Sequence, residues 1–183
     1  MIEIVVKSIR FNRITNNRVV LLQELAGERY LPIWIGEFEA HAIAMELQGV
    51  ESPRPLPYDL MRSMLAELRG SIDHVIVSDL SMDVFYARVV VTVDGRTIEL
   101  DSRPSDAIAL AVRSGASIYV DESVMDRAGV SLDDEDADLE SDQHPQRLTE
   151  RRSEPRPDDE NLSIFREFIN TLDSDDFERG RGD

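Results

Sequence analysis

An α+β domain, a mixed β-sheet packed with helices, is the fold class that this sequence predicts, and three observations carry the expectation. Short runs rich in Val and Ile, bounded by Gly, Pro and Asp, read as strands. Between them lie segments with apolar residues at three- and four-residue spacing that end at glycine, which read as helices. The order strand, glycine turn, strand, helix also occurs twice, in VVLLQELAGERYLPIWIGEFEAHAIAMEL and ARVVVTVDGRTIELDSRPSDAIALAV. Aligning Ala42-Ile43-Ala44-Met45 on Ala107-Ile108-Ala109-Leu110 places the helices 65 residues apart, against 68 for the turn glycines Gly27 and Gly95. A duplicated hairpin–helix unit building one sheet follows from that repeat.

Each element has its own warrant. Residues 2–11 read as a strand, with acidic and basic residues among the apolar ones, and 19–25 with 29–36 form a hairpin turning at Gly27. Residues 37–49 make a helix that stops at glycine. Three prolines stiffen the loop 51–57, and 58–70 is a second helix with Leu60, Met64, Leu65 and Leu68 on one expected core face. Strands follow at 72–80 and 84–93; Asp94-Gly95 is a hairpin turn leading into 96–102. Residues 104–115 are the third helix, 117–120 a short strand and 122–130 a last short helix. The expected organisation is therefore a domain over 1–130, an acidic disordered linker over 131–160, and an amphipathic helix with its tail over 161–183. The linker combines high charge with three prolines and no aromatic residue. The last segment spaces Leu162, Phe165, Phe168, Ile169 and Leu172 as a helix does.

Composition narrows the classes. With no cysteine in 183 residues, disulfides, cysteine-bound zinc and thiol catalysis are excluded. No apolar run is long enough to span a membrane and the N-terminus lacks signal-peptide character, so a cytoplasmic protein without a membrane partner is expected. The net charge is −17; residues 131–160 hold −8 of it and 161–183 hold −3, leaving −6 for the domain. Such a balance opposes general nucleic-acid affinity, and a local arginine patch on the domain would have to supply it.

Familiar catalytic motifs are missing. The chain has no P-loop, dinucleotide-binding glycine motif, HExxH or GxSxG, and His41, His74 and His144 lack metal-type spacing. The candidate chemistry sits at the two strand-to-helix turns. In DSRPSDAIALAVRSG, Pro104 suits the first helical position and Asp106 the positive end of the helix. Ser102 and Ser105 offer capping oxygens. Capping does not explain Arg103, a cation at a helix N-terminus; it would pair with Asp101 or Asp106, or hold a phosphate. Glu37 and Glu39 open the equivalent helix and are candidate ligands for a divalent metal such as Mg²⁺, the candidate cofactor. Arg54 in the proline loop, with Tyr58, Asp59 and Arg62 on the next helix, forms a basic, aromatic-flanked edge suited to nucleic acid.

The blocks LPIWIGEFEAHAIAMEL, RPLPYDLMRSMLAEL, IDHVIVSDL with FYARVVV, and IELDSRPSDAIALAVRSGASIYV together resemble the bifunctional nuclease domain family over about residues 1–130. The resemblance implies a self-associating α+β domain, a homo-oligomer, some of whose plant members are credited with degrading both RNA and DNA. The leading expectation is a nuclease whose substrate is gripped by Arg103, Arg54 and Arg62. Asp106, Asp59 or Glu39 would serve as base or metal ligand, and Ser105 would position a water or an oxyanion. The alternative function is a non-catalytic oligomeric binding or regulatory module. The chain departs from the family pattern at Pro57-Tyr58-Asp59-Leu60, where Thr-His-Asp-Leu is usual; Tyr58 replaces the candidate base.

Overall fold

The computed structural model describes residues 1–12 and 17–131; the expected acidic linker and C-terminal helix lie outside the described residues. The chain runs β1 (Ile2–Asn12), β2 (Asn17–Glu24), β3 (Arg29–Ile35), α1 (Glu37–Leu47), α2 (Pro57–Glu67), β4 (Gly70–Ser81), β5 (Val84–Val93) and β6 (Arg96–Ser102). It closes with α3 (Pro104–Ser114), β7 (Ser117–Val120), α4 (Glu122–Ala128) and β8 (Val130–Ser131). Among the described residues no helix is long and apolar enough to cross a membrane.

One eight-stranded mixed sheet results, ordered β6-β5-β4-β7-β1-β2-β3-β8. β4 and β7 are parallel and the other neighbours antiparallel. The two meanders β1-β2-β3 and β4-β5-β6 are each followed by a helix, α1 or α2 in one case and α3 in the other. β7 joins them by pairing with β1 on one side and β4 on the other. β2 and β5, β3 and β6, α1 and α3 all begin 67 residues apart. The sequence register of 65 for the helices is thereby corrected. The second hairpin has a shorter turn but a longer first strand, so the two differences cancel. In the structural register Glu39 falls on Asp106 and Gly36 on Arg103. The short turn is the expected Asp94-Gly95 pair, both with positive φ (49° and 75°), as a twisted two-residue hairpin requires.

The core lies between the sheet and α1 and α3. Val20, Leu22, Leu31, Ile33, Val75, Val77, Val89 and Val91 meet Ile43 and Ile108, all buried. Ala40, Ala42, Ala107, Ala109 and Ala111 are buried along the two helices. Small side chains let helix backbones sit close to the strands and to each other, and the two helices touch along their length.

The second helix differs from expectation. Leu60, Met64 and Leu68 are exposed, as is Met61; only Leu65 of the expected face packs partly on the core. Its least exposed positions are instead Tyr58, Asp59 and Leu65, with Arg62 exposed at the edge of that face. Tyr58 is buried, and Asp59 and Arg62 bond to Arg113 on α3. Directed polar anchors fix the helix about its axis and leave its apolar stripe facing outward. Where Leu65 lands, the fit is tight: a Cβ added to Gly70 would lie 2.5 Å from Leu65 Cδ1 and 2.9 Å from Val93 Cγ2. Gly70→Ala should therefore cost about 1–3 kcal/mol of overpacking strain in a urea unfolding measurement. An unchanged midpoint would show that Leu65 can move aside freely.

Candidate functional site

The site forms where α1 and α3 begin. Gly36 and Arg103 occupy the N-cap positions, in extended conformation and with no side-chain cap. Near their starts Arg103 meets Glu39, and near their ends Arg113 meets Ala42 and Glu46, so the helices run side by side in one direction. Two positive helix ends are thus neighbours, and each first turn carries a carboxylate, Glu39 or Asp106, that complements it. The Glu39 carboxylate lies directly against Gly36, where any side chain would collide with it.

Arg103 ties the two helix starts together. Its Nε donates to Asp106 Oδ2 at 2.6 Å, and its Nη2 donates to Asp106 Oδ1 at 3.0 Å and to Glu39 Oε1 at 2.7 Å. The forked contact with Asp106 is the geometry in which guanidinium and carboxylate bind most strongly. These hydrogen bonds to Asp106 and then Glu39 push the Arg103 guanidinium above its ordinary pKa, so it is a permanent cation. Its side chain is nonetheless 67% exposed, whereas Glu39 is 13% and Asp106 25% exposed. An open cation above two sheltered carboxylates is poised to receive an anion from solvent. Among the described residues its Nη1 has no partner, leaving two N–H donors for that anion.

Tyr58 completes the cluster from below. Its hydroxyl donates to Asp106 Oδ1 at 2.8 Å, and burial, followed by that hydrogen bond, pushes the phenol above its ordinary value of 10.0. At neutral pH it is a hydrogen-bond donor and not a base. Its folded pKa exceeds its unfolded one, so its stabilising contribution is complete below pH ~10 and declines as pH rises further. Unfolding free energy measured against pH should therefore fall less steeply above pH ~10 in Tyr58→Phe than in the parent. Parallel curves would mean that neither burial nor Asp106 raises the phenol.

The other sequence candidates take different places. Asp59 accepts from the Leu56 amide at 2.7 Å through Oδ2 and from Arg113 Nη1 at 2.7 Å through Oδ1. Its carboxylate thus caps α2 and neutralises a buried arginine. Ser105 is buried in the first turn of α3. Arg62 is an exposed residue whose Nη1 donates to the Arg113 carbonyl at 2.6 Å, and Arg54 is exposed in the loop before α2. Glu37 pairs with Arg18 at 3.0 Å while Glu39 turns to Arg103, so the two glutamates serve different cations. No group of three or more metal-type side chains forms among the described residues. His41 is exposed, and His74 bonds Asp73 and packs edge-on against Tyr119.

Sequence reasoning undervalued one member of this region and passed over another. Tyr58 looked like a loss, since it stands where a histidine is usual, yet it reaches Asp106 from that position. Arg113, the cation in the last turn of α3, was not singled out at all. It is buried and bonds to α1 through the Ala42 carbonyl and Glu46 and to α2 through Asp59. Only the parallel packing of α1 and α3 could have disclosed that role.

Residues 20–133 match the family model of the bifunctional nuclease domain. An uncharacterized protein of Mycobacterium tuberculosis is 42% identical over 175 residues, which cover 96% of this chain and 97% of that protein. Bifunctional nuclease 1 of Oryza sativa subsp. indica is 27% identical over 120 residues, 64% of this chain but 36% of the rice protein. Bifunctional nuclease 2 of Oryza sativa subsp. japonica is 28% identical over 115 residues, 61% of this chain and 35% of its own length. The domain match spans more than half of the sequence and includes both helix starts, and on that ground the chain belongs to the bifunctional nuclease domain family.

Proposed function

We propose that this protein hydrolyses phosphodiester bonds of DNA and RNA at the junction of α1 and α3. The observation that carries the reading is the exposed Arg103 held over Glu39 and Asp106 between two helix starts. A phosphate would be drawn to the guanidinium and to the positive helix ends. Asp106 spends both oxygens on Arg103 and Tyr58, which makes it the anchor that orients the cation. Glu39 holds Arg103 through one oxygen, which leaves it the better placed carboxylate to take a proton from an attacking water. Tyr58, kept protonated by burial, steadies Asp106 and supplies no base. Mg²⁺ is a candidate cofactor and would find only two carboxylates here, Glu39 and Asp106, both already paired with Arg103.

Purified protein incubated with labelled single-stranded DNA and RNA, in Mg²⁺, Mn²⁺ or EDTA, tests the reading. Cleavage that disappears in Glu39→Gln and Arg103→Ala is expected. Cleavage equal in parent and variants would assign it to a contaminant and sink the proposal.

A second reading, a homo-oligomeric module without catalysis, is favoured by one observation. Leu60, Met61, Met64 and Leu68 give α2 an exposed apolar stripe of the sort that marks an interaction surface. Light scattering on the parent and on Met61→Glu/Met64→Glu would detect a dimer that the double variant dissociates; identical monomer masses would remove this reading.

A further inference from the structure

We infer that single-stranded nucleic acid docks in a groove between the β1–β2 hairpin and the first turns of α1, with bases stacking on Phe38 and Phe11. The inference rests on the proposed phosphodiesterase reading and names where the substrate strand lies. The groove has a volume of about 410 Å³, with Ile9, Ala40 and Ala44 among its lining. Phe38 projects from the start of α1 and is 85% exposed, an unusual place for a large apolar ring. Phe11 faces the same groove, is exposed, and carries the Arg18 guanidinium 4.7 Å above its ring centre. His41 completes the lining. Exposed aromatic faces beside an arginine are what bases and phosphates of a single strand require, and no base-edge contact is needed.

Charge selects the same region. The sequence from residue 4 to 23 holds four cations and no acidic residue in a chain of net charge −17, and of these cations Arg18 lines the groove. A basic stretch of this kind in an acidic protein is the local footprint that phosphate binding needs. Phe38 directly precedes Glu39 on α1, so the groove and the Arg103 cluster share the start of this helix, about 100° apart around its axis. One lining group opposes the strand: Glu37 holds Arg18 at 3.0 Å and would have to yield it to a phosphate. Removing that carboxylate should therefore tighten binding.

The test is fluorescence anisotropy with a short labelled single strand, DNA or RNA, in EDTA, so that binding is read without cleavage. Phe38→Ala should weaken binding roughly tenfold. Arg18→Ala should weaken it roughly fivefold and lower the salt slope by about one. Glu37→Gln should strengthen it about threefold, because a competing anion leaves. Binding of Phe38→Ala and Arg18→Ala within twofold of the parent, or no binding by the parent at all, overturns the groove. Phe38 is almost fully exposed, so its truncation leaves the fold intact and the comparison fair. The two proposals fail separately. A parent that binds through Phe38 and Arg18 but never cleaves removes the activity and keeps the groove. A parent that cleaves with a KM indifferent to both substitutions removes the groove and keeps the activity.

Discussion

Replacing Arg103 by alanine should lower kcat/KM for oligonucleotide cleavage at least ~100-fold while leaving the melting temperature nearly unchanged. The kinetic size follows from losing a preorganised donor at a phosphate, where a single such contact is worth roughly 10²–10³ in rate. The small stability effect follows from exposure: Arg103 is two-thirds exposed, and ion pairs in that setting contribute about 0–1 kcal/mol. Lysine should not rescue the variant, because one ammonium cannot reproduce a fork that serves Asp106 through two nitrogens and Glu39 through one of them. Glu39→Gln should show the complementary pattern, with binding kept and turnover lost, if its carboxylate takes the proton. Steady-state kinetics with anisotropy on the same variants separates grip from chemistry. An Arg103→Ala protein that cleaves within threefold of the parent would leave this cluster a purely structural clasp between two helices.

The parts of this site that sequence made legible are those set by local rules. Pro104 at the first helical position, Gly115 with φ 67° after the last, and Asp106 in the first turn mark α3 without any tertiary knowledge. Likewise the pairing of Arg103 with Asp106, three residues on, lies within reach of local reasoning. Glu39 as second partner is 64 residues away and depends on α1 and α3 lying in parallel, which no spacing encodes. β8 was equally hidden: two residues qualify as a strand only because Tyr30 and Arg29 pair with them. The face of α2 was misread for a more general reason. Hydrophobic periodicity reports which stripe is apolar, while Asp59 and Arg62 bonding to Arg113 decide which stripe turns inward. The outward stripe that results is then available to a partner.

Arg113→Ala should be the most destabilising of the single substitutions considered, by about 3 kcal/mol, with a correspondingly lower urea midpoint at unchanged slope. The guanidinium is 6% exposed and holds Asp59 at 2.7 Å, Glu46 at 3.2 Å and the Ala42 carbonyl at 2.9 Å, so three acceptors on two helices lose their partner together. Its Nε has no hydrogen-bond partner among the described residues, so part of the desolvation cost of burying this cation is already carried by the native state. Arg113→Met, which keeps the stem and removes the charge, should recover little, since Asp59 would remain sheltered and unpaired. Removing both ends of the main pair, in Arg113→Met with Asp59→Asn, should cost less than the sum of the single changes, and the difference measures their coupling. The same series decides what Asp59 does. If Asp59→Asn costs stability, with cleavage per folded molecule unchanged, the carboxylate is there for the helix cap and the buried arginine. If it instead abolishes turnover in a protein that unfolds at the parent's urea concentration, Asp59 belongs to the chemistry and Arg113 is the residue that holds it there.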